Sequence, residues 1–108
     1  AKDMAIVGGF NVYPREVDEA LLACPGVQAV AAVAVPDAYR GEVIWAYVEG
    51  DATPDALSRH SEATLVRYKR PVQWRFLGSL PRTGLGKVDK AELRRMARAE
   101  LEASRDVA

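Results

Sequence analysis

The chain has 108 residues and a mass of 11.8 kDa, a length that typically folds around a single core. Hydrophobic residues make up 49% of it and charged residues 28%, a balance that argues against a disordered or collagen-like protein. The longest apolar run, residues 29–35, is far shorter than the roughly 18 residues that a membrane-spanning helix needs. The first residues show no secretory signal, so we predict a cytoplasmic protein without a transmembrane segment.

Cysteine, histidine and charge distribution narrow the chemistry further. Cys24 and His60 are the only residues of their kinds, so neither an internal disulfide nor a zinc cluster is expected, and we predict no metal site. Residues 1–66 hold four basic and ten acidic residues, whereas residues 67–98 hold ten basic and two acidic ones. This segregation predicts that the stretch 67–98 binds anions.

The start of the chain predicts a hairpin followed by a helix. Short apolar runs at residues 4–7 and 10–13 flank Gly8 and Gly9, a pattern typical of a β-hairpin. On local grounds alone, the two glycines are needed for a turn with positive φ angles. Pro14 is well suited to the first position of the helix that follows.

Two strands and a second helix are expected next. The valine-rich segments 27–35 and 43–48 enclose a polar turn, which predicts two adjacent antiparallel strands. Thr53 and Pro54 provide a capping residue and a favourable first position for a helix. We expect this helix to run to about Val66.

The rest of the chain predicts a third main strand, a loop and a terminal helix. Residues 72–77 alternate apolar and polar side chains, which indicates a strand with one face in water. The segment 78–88 holds three glycines and a proline and is interpreted as a flexible loop. Asp89 and Glu92 then resemble a capping box before an amphipathic helix. The predicted fold class is α+β, with a small N-terminal β-hairpin and a three-stranded, mainly antiparallel sheet packed with three helices.

The loop sequence PRTGLGK suggests phosphate binding, because glycines let the backbone approach an anion and Lys87 adds a positive charge. It does not have the P-loop pattern, since Pro81 stands in place of the first glycine and Val88 in place of the metal-binding hydroxyl residue. Local composition alone therefore favours a solvated loop lysine. A nucleic-acid surface is also disfavoured, because the pI of 6.8 lies well below about 9.

Four longer motifs follow one another along nearly the whole chain: GG-x-N-V-Y-P-x-E-V, V-P-D-x-x-x-G-E, Y-K-x-P and L-P-R-T-x-x-G-K. In this order and spacing they resemble the small C-terminal domain of adenylate-forming enzymes, in particular acyl-CoA synthetases. The resemblance implies that residues 1–108 are the mobile cap of an AMP-forming ligase, whose larger N-terminal domain would precede Ala1. A cap on its own is expected to be inactive. Departures are small, for example Val7 where serine is frequent and Lys90 where arginine is common.

The resemblance also implies roles for individual residues. Lys87 would be the catalytic residue of ATP-dependent carboxylate adenylation, and Lys2 would be the hinge about which the domain rotates. ATP and coenzyme A would bind together with the N-terminal domain, with Mg²⁺ accompanying ATP and no metal site in this chain. The residues implied in coenzyme A binding and thioester formation are Gly8, Gly9, Tyr68, Lys69 and Arg70.

Two alternatives stay open. The chain could belong to an adenylation domain that loads a carrier protein, in which case the surface around residues 68–70 would face that protein. It could instead be an independent anion-binding module with no catalytic partner. In the favoured interpretation the partners are the N-terminal domain, a small carboxylic acid, ATP and coenzyme A, and no nucleic acid. The larger domain would select the acid.

Overall fold

The computed structural model describes residues 3–107. The predicted helices and strands are present, with ends that differ by about two residues, and a short 3-10 helix precedes the last strand. The elements are β1 (Ala5–Val7), β2 (Phe10–Val12), α1 (Pro14–Leu22), β3 (Val27–Asp37), β4 (Gly41–Gly50), α2 (Pro54–Thr64), the 3-10 helix (Arg67–Lys69), β5 (Gln73–Phe76) and α3 (Lys90–Val107).

All five strands belong to one sheet, in which the order is β2-β1-β4-β3 and β5 also pairs with β4. The α+β class is confirmed, and β3 and β4 are antiparallel neighbours as predicted. The predicted three-stranded sheet is corrected to five strands. The reason is that Val7 of the hairpin pairs with Gly41 of β4, which joins the hairpin to the sheet. Only β5 runs parallel to its neighbour among the described strands.

Strands β1 and β5 share one edge of β4, because β3 occupies the other edge along its length. β1 pairs with β4 at Gly41, and β5 pairs with it from Trp45 to Val48. Just before β5, the N–H of Val72 donates to the carbonyl oxygen of Ile44 at 2.8 Å. A short part of the β4 edge is therefore left open between the two contacts.

Helices cover both faces of the sheet, with α1 and α2 on one side and α3 on the other. The middle of β4 is therefore apolar at successive positions instead of alternating with polar residues. Its side chains divide between two cores: Ile44, Ala46 and Val48 pack with α1 and α2, and Val43, Trp45 and Tyr47 pack with α3.

Strand β5 does not show the predicted alternation between a buried and a wet face. Its two central residues, Trp74 and Arg75, are both partly buried, and its end residues are exposed. The indole N–H of Trp74 donates to the hydroxyl of Ser58 on α2 at 3.3 Å. On the other side, the guanidinium of Arg75 donates to the carboxylate of Glu100 on α3. Both faces are covered, so neither is fully in water.

The two predicted helix caps are observed. The hydroxyl of Thr53 accepts from the N–H of Ala56 at 3.1 Å, and the carboxylate of Asp89 accepts from the N–H of Glu92 at 3.1 Å. The second cap is half of a capping box, because the Glu92 carboxylate binds Arg95 instead of returning to the cap. Each cap satisfies an N–H group that has no partner within its helix.

Two glycines allow the ends of β3 and β4 to approach closely. The carbonyl oxygen of Gly26 accepts from the N–H groups of Asp51 and Ala52 at 2.8 and 3.2 Å. Gly50 has a φ of +127°, and a Cβ at this residue would lie 2.2 Å from that same carbonyl oxygen. No side chain fits there, so this turn requires glycine.

Candidate functional site

The turn of the hairpin consists of Gly8 and Gly9, with φ angles of +56° and +89°. Both residues are exposed. Among the described residues, no atom beyond the adjacent ones lies within 4 Å of where a Cβ would stand at either glycine. The N–H of Gly8 donates to the carbonyl oxygen of Arg40 at 2.8 Å, which fastens the hairpin to the turn between β3 and β4.

A groove with a volume of about 590 Å³ lies between the hairpin, β4 and the 3-10 helix, a size typical of small-molecule sites. Aliphatic side chains of β1 and β4 form part of its lining. The remaining lining comes from separate segments: Gly8 and Phe10 from the hairpin, Arg40 from the β3–β4 turn, and Arg67, Tyr68, Arg70 and Val72 from the segment after α2.

An aromatic pair forms one side of this groove. The rings of Phe10 and Tyr68 stack with 4.3 Å between centroids and 20° between planes. Tyr68 packs against the core under α1 and α2, whereas Phe10 remains 54% exposed. Flat aromatic surface that is accessible at a groove is suited to stacking with a planar ring such as a nucleobase.

Three arginines give the groove its charge. The guanidinium of Arg70 donates to the carbonyl oxygens of Leu65 and Glu62, at 2.9 and 3.3 Å, near the C-terminal end of α2, where partial negative charge favours a cation. Arg40 and Arg67 are exposed. Within residues 3–107, none of the three arginines takes part in an ion pair. The groove is thus a positive site that an anion can neutralise.

Lys69, which the resemblance assigns to the same site, is directed elsewhere. Its amine lies 2.9 Å from both carboxylate oxygens of Glu16 on α1, and its side chain is only 20% exposed. The hydrogen bond to Glu16 raises the pKa of Lys69 above its ordinary value. This lysine links the 3-10 helix to α1 and does not line the groove.

The structure therefore brings together Gly8, Tyr68 and Arg70 from the predicted set, with Gly9 next to them in the turn. Sequence reasoning missed Arg40 and Arg67 as members of the groove. The sequence motifs could have indicated both residues, because Arg40 lies in the polar turn of the V-P-D motif and Arg67 directly precedes the Y-K-x-P motif.

Lys87 lies in a compact, hydrogen-bonded loop. The N–H of Asp89 donates to Pro81 O at 2.8 Å, and the N–H of Thr83 donates to Lys87 O at 2.7 Å. Between them, Arg82 and Val88 form a β-bridge. The segment predicted as flexible from its glycines is a closed turn with an internal framework.

The amine of Lys87 is available to an external partner. Its side chain is exposed, and it is absent from the ion pairs found among residues 3–107. The loop is anchored at its base by Leu80, which is 2% exposed and whose N–H donates to the Glu49 carboxylate at 3.0 Å. An unpaired cation is thus displayed on an anchored turn.

The lysine loop packs against one face of the sheet, whereas the groove lies at the edge of β4 and is lined by side chains of both faces, Ile44 and Val43. Leu80 and Val88, at the two ends of the loop, pack in the core under α3. Tyr68 of the groove packs in the core under α1 and α2. The groove and the lysine loop are therefore separate sites, with no lining residue in common.

The single histidine and the single cysteine lie outside the groove and the lysine loop, and the predicted hinge lies outside the described residues. His60 is joined through Nε2 to the carbonyl oxygen of Ala20 at 2.7 Å, and Cys24 is buried. The predicted hinge, Lys2, lies outside residues 3–107. Within that range no helix is long and apolar enough to cross a membrane, and no group of three or more His, Cys, Asp or Glu side chains is arranged to hold a metal ion.

Comparison with known proteins identifies the family. The family described as AMP-binding enzyme C-terminal domain matches residues 16–87. The chain belongs to this family. The matched range includes the 3-10 helix and ends at Lys87, and the two glycines of the hairpin lie before it.

Three relatives show what this AMP-binding enzyme C-terminal domain is similar to. The sulfoacetate–CoA ligase of Cupriavidus necator is 48% identical over 97 residues, which cover 86% of this chain and 19% of that protein. A Mycobacterium tuberculosis fatty acyl CoA synthetase matches with a TM-score of 0.85 and 36% identity over 91% of this chain and 20% of its own. ATP-bound MatB from Rhodopseudomonas palustris matches with a TM-score of 0.81 and 38% identity, over 88% of this chain and 20% of its own. The chain spans about a fifth of the length of these relatives.

Proposed function

We propose that this domain works in an AMP-forming acid–thiol ligase of the acyl-CoA synthetase type, together with a larger N-terminal domain that binds ATP and a small carboxylic acid. The observation that carries the proposal is that one small domain has two separate sites for anions, the Lys87 loop and the arginine-lined groove, with no lining residue in common. Two half-reactions with different anionic substrates need two such sites. The CoA ligases among the relatives support the same assignment.

Lys87 is the catalytic residue of the first half-reaction in this proposal. The carboxylate of the acid attacks the α-phosphorus of ATP, a new P–O bond forms, and pyrophosphate leaves with the electron pair of the broken P–O bond. Negative charge increases on the phosphoryl oxygens as this happens. An exposed amine on a hydrogen-bonded turn supplies fixed positive charge at that point, which is the usual electrostatic contribution to phosphoryl transfer.

The groove serves the second half-reaction. The thiol of coenzyme A loses its proton to water and its sulfur attacks the acyl carbon, the C–S bond of the thioester forms, and AMP leaves with the electron pair of the broken acyl C–O bond. The stacked rings of Phe10 and Tyr68 suit the adenine ring, and the unpaired arginines suit its phosphates. The side-chain-free turn at Gly8 and Gly9 leaves a path for the pantetheine arm. Lys69 supports the 3-10 helix through Glu16 and contributes no free charge.

Use of both sites requires the domain to turn relative to its larger partner between the half-reactions. Lys2 is the proposed hinge, and it lies three residues before the start of β1 in the chain. Mg²⁺ would accompany the ATP phosphates at the larger domain, because the described residues offer no cluster of metal ligands. Within this domain, lysine and arginine side chains supply the positive charge that binds the phosphates of the substrates.

Free coenzyme A is favoured over a carrier protein as the thiol donor. A tethered pantetheine brings no adenine and no nucleotide phosphates into the groove, whereas three unpaired arginines and an aromatic pair suit both. Calorimetric titration of the full-length enzyme separates the two. Coenzyme A is expected to bind at least about tenfold more tightly than pantetheine, since charged hydrogen bonds contribute about 1.5–3 kcal/mol, and equal affinities would favour the carrier-protein alternative.

The deciding experiment measures both half-reactions separately in the full-length enzyme carrying Lys87→Ala. The rate of adenylation is measured as the release of pyrophosphate. It is expected to fall by about 10² to 10³, which is the effect of removing one donor to a developing charge. Thioester formation from preformed acyl-adenylate should be retained. Arg98→Ala is the matched control, because it removes one exposed charge from α3 and should leave both rates unchanged. An equal loss in both half-reactions for Lys87→Ala would contradict the assigned role.

A further inference from the structure

A mostly buried ion pair lies at the point where the lysine loop enters α3. The amine of Lys90 is 2.6 Å from one carboxylate oxygen of Asp18 on α1, and the two side chains are 24% and 22% exposed. The other carboxylate oxygen accepts from the N–H of Ala32 on β3, also at 2.6 Å. A single carboxylate therefore connects α1, β3 and the first residue of α3.

Two further ion pairs involve the first part of α3, Arg94 with Asp3 at 3.9 Å and Arg95 with Glu92 at 2.6 Å. The pair between Arg95 and Glu92 is confined to the helix, and the arginine is 66% exposed, so it contributes little to the position of any other element. Burial raises the pKa of Asp18, although the hydrogen bonds from Lys90 and Ala32 act in the opposite direction. Such a carboxylate needs its partners, and loss of Lys90 would leave a largely buried charge unpaired.

The chain geometry connects the pair directly to Lys87. Lys90 follows Asp89, whose N–H closes the lysine loop through Pro81 O at 2.8 Å. From there the β-bridge between Arg82 and Val88 leads along the loop to Lys87. The guanidinium of Arg82 also donates to Gly86 O at 3.2 Å. A displacement of Lys90 would therefore also move the closed turn that carries Lys87.

The two ends of the loop are held by different elements. Leu80, at the first end, is fixed through Glu49 on β4. Lys90, at the second end, is fixed through Asp18 to α1 and β3. Because the turn itself is internally hydrogen-bonded, its orientation on the domain depends on these two anchors and on the packing of Leu80 and Val88 in the core under α3. Loss of one anchor would let the turn tilt without unfolding it.

We propose that Asp18 and Lys90 are positioning residues for Lys87, which fix the direction in which its amine leaves the domain. The inference rests on the proposed role of Lys87 in adenylation. Neither residue touches a substrate in this proposal, and both act through the loop. Displacement of a reacting group by about 1 Å costs on the order of 100-fold in rate, so a modest tilt of the turn is enough to matter.

Thioester formation serves as an internal control for substitutions near the lysine loop, because it is assigned to the groove and none of the lining residues of the groove belongs to that loop. Full-length enzyme carrying Lys90→Ala is expected to lose about tenfold or more in kcat of adenylation, with a smaller change in KM for ATP. Thioester formation from preformed acyl-adenylate should stay within about twofold, a split that general destabilisation of the domain does not produce. Lys90→Arg should restore most of the rate, because it keeps the charge next to Asp18.

Arg95→Ala is the matched control, since it removes one cation of α3 whose partner is in the same helix and should leave adenylation within about twofold. The strongest test is the double variant Lys87→Ala with Lys90→Ala. If Lys90 acts through Lys87, the second substitution adds nothing beyond about twofold to the loss caused by the first. Asp18→Asn tests the same ion pair from its other side, because it removes the charge and keeps the shape of the side chain. It is also expected to lower the kcat of adenylation.

Three outcomes would overturn the inference: a Lys90→Ala enzyme with unchanged adenylation, an equal loss in both half-reactions, or losses that multiply in the double variant. The single variant Lys87→Ala distinguishes this failure from failure of the proposed function. If Lys87→Ala slows adenylation and Lys90→Ala does not, the proposed function stands and only the positioning role is rejected. If Lys87→Ala has no effect, both are rejected.

Discussion

Phe10 and Tyr68 stack at one side of the groove, with 4.3 Å between ring centroids and 20° between planes. The contact joins the hairpin to the 3-10 helix, two elements that are far apart in the chain. Together with the hydrogen bond from Gly8 N–H to Arg40 O, it holds three separate segments around one cavity. The groove is therefore a product of tertiary packing and not of a single motif.

The stacked pair should be energetically coupled in the domain itself. In a double-mutant cycle with Phe10→Leu and Tyr68→Leu, urea unfolding is expected to give a coupling free energy of about 0.5–1.5 kcal/mol, the range found for aromatic pairs. Tyr39→Leu is the control, because Tyr39 is 97% exposed and should change stability by less than about 0.5 kcal/mol. Strict additivity of the two substitutions would show that the rings do not interact.

The sequence predicted the local elements well and the long-range relations less well. Pro14, Thr53 and Asp89 determine helix starts through local chemistry, and all three starts are confirmed. The pairing of β1 with β4 joins distant segments through a single pair of residues, Val7 and Gly41, and no local pattern indicates it. The sheet was therefore predicted with too few strands.

The residues of the groove were also predicted only in part, because some lie in one motif and others come from distant parts of the chain. Of residues 68–70, Tyr68 and Lys69 belong to the 3-10 helix, in which successive side chains point about 120° apart, so these two face different surfaces. Tyr68 and Arg70 face the groove, and Lys69 faces Glu16. Arg40 is brought to the groove by the β3–β4 turn, which is far from the Y-K-x-P motif in the chain.

The arginines and Lys69 should differ in their effect on coenzyme A binding. In the full-length enzyme, Arg40→Ala or Arg67→Ala is expected to raise the Kd of coenzyme A by about tenfold, since a charged hydrogen bond to phosphate contributes at least about 1.5 kcal/mol. Lys69→Ala should change it by less than about threefold, because its amine is already bound to Glu16. Calorimetric titration measures all three. A loss for Lys69→Ala as large as that for Arg40→Ala would mean that the lysine leaves Glu16 when the ligand binds.

Gly50 should be among the least replaceable residues of the fold. A Cβ at this residue would stand 2.2 Å from Gly26 O, and its φ of +127° strains any other residue. We expect Gly50→Ala to lower the free energy of unfolding by at least about 2 kcal/mol, through backbone strain and separation of β3 from β4. Gly78→Ala is the control, because open space surrounds Gly78 and the change should stay within about 0.5 kcal/mol. Equal stabilities of the two variants, measured by urea unfolding, would contradict the close approach.

Acid should weaken the contact between β5 and α3. Hydrogen bonds from the Arg75 guanidinium hold the pKa of Glu100 below its ordinary value, and Arg75 also lies over the Trp45 ring at 4.9 Å. A carboxylate whose pKa is lower in the folded state than in the unfolded state stabilises the fold above the unfolded-state pKa, and this contribution is lost as the pH falls through the folded-state pKa. With an ordinary pKa of 4.5 for glutamate, the loss is expected below about pH 5.

Glu100→Gln should therefore flatten the decline in the free energy of unfolding on the acid side. The side chains of Glu100 and Arg75 are 42% and 33% exposed, so solvent screening limits the effect to about 0.5 kcal/mol. Glu102→Gln serves as the control, since Glu102 is exposed on the same helix and takes part in none of the ion pairs among residues 3–107. Urea unfolding at a series of pH values from about 3 to 7 measures both slopes. If Glu100→Gln steepened the acid-side decline, the ion pair with Arg75 would not be the source of this pH dependence, because removal of a stabilising carboxylate can only reduce it.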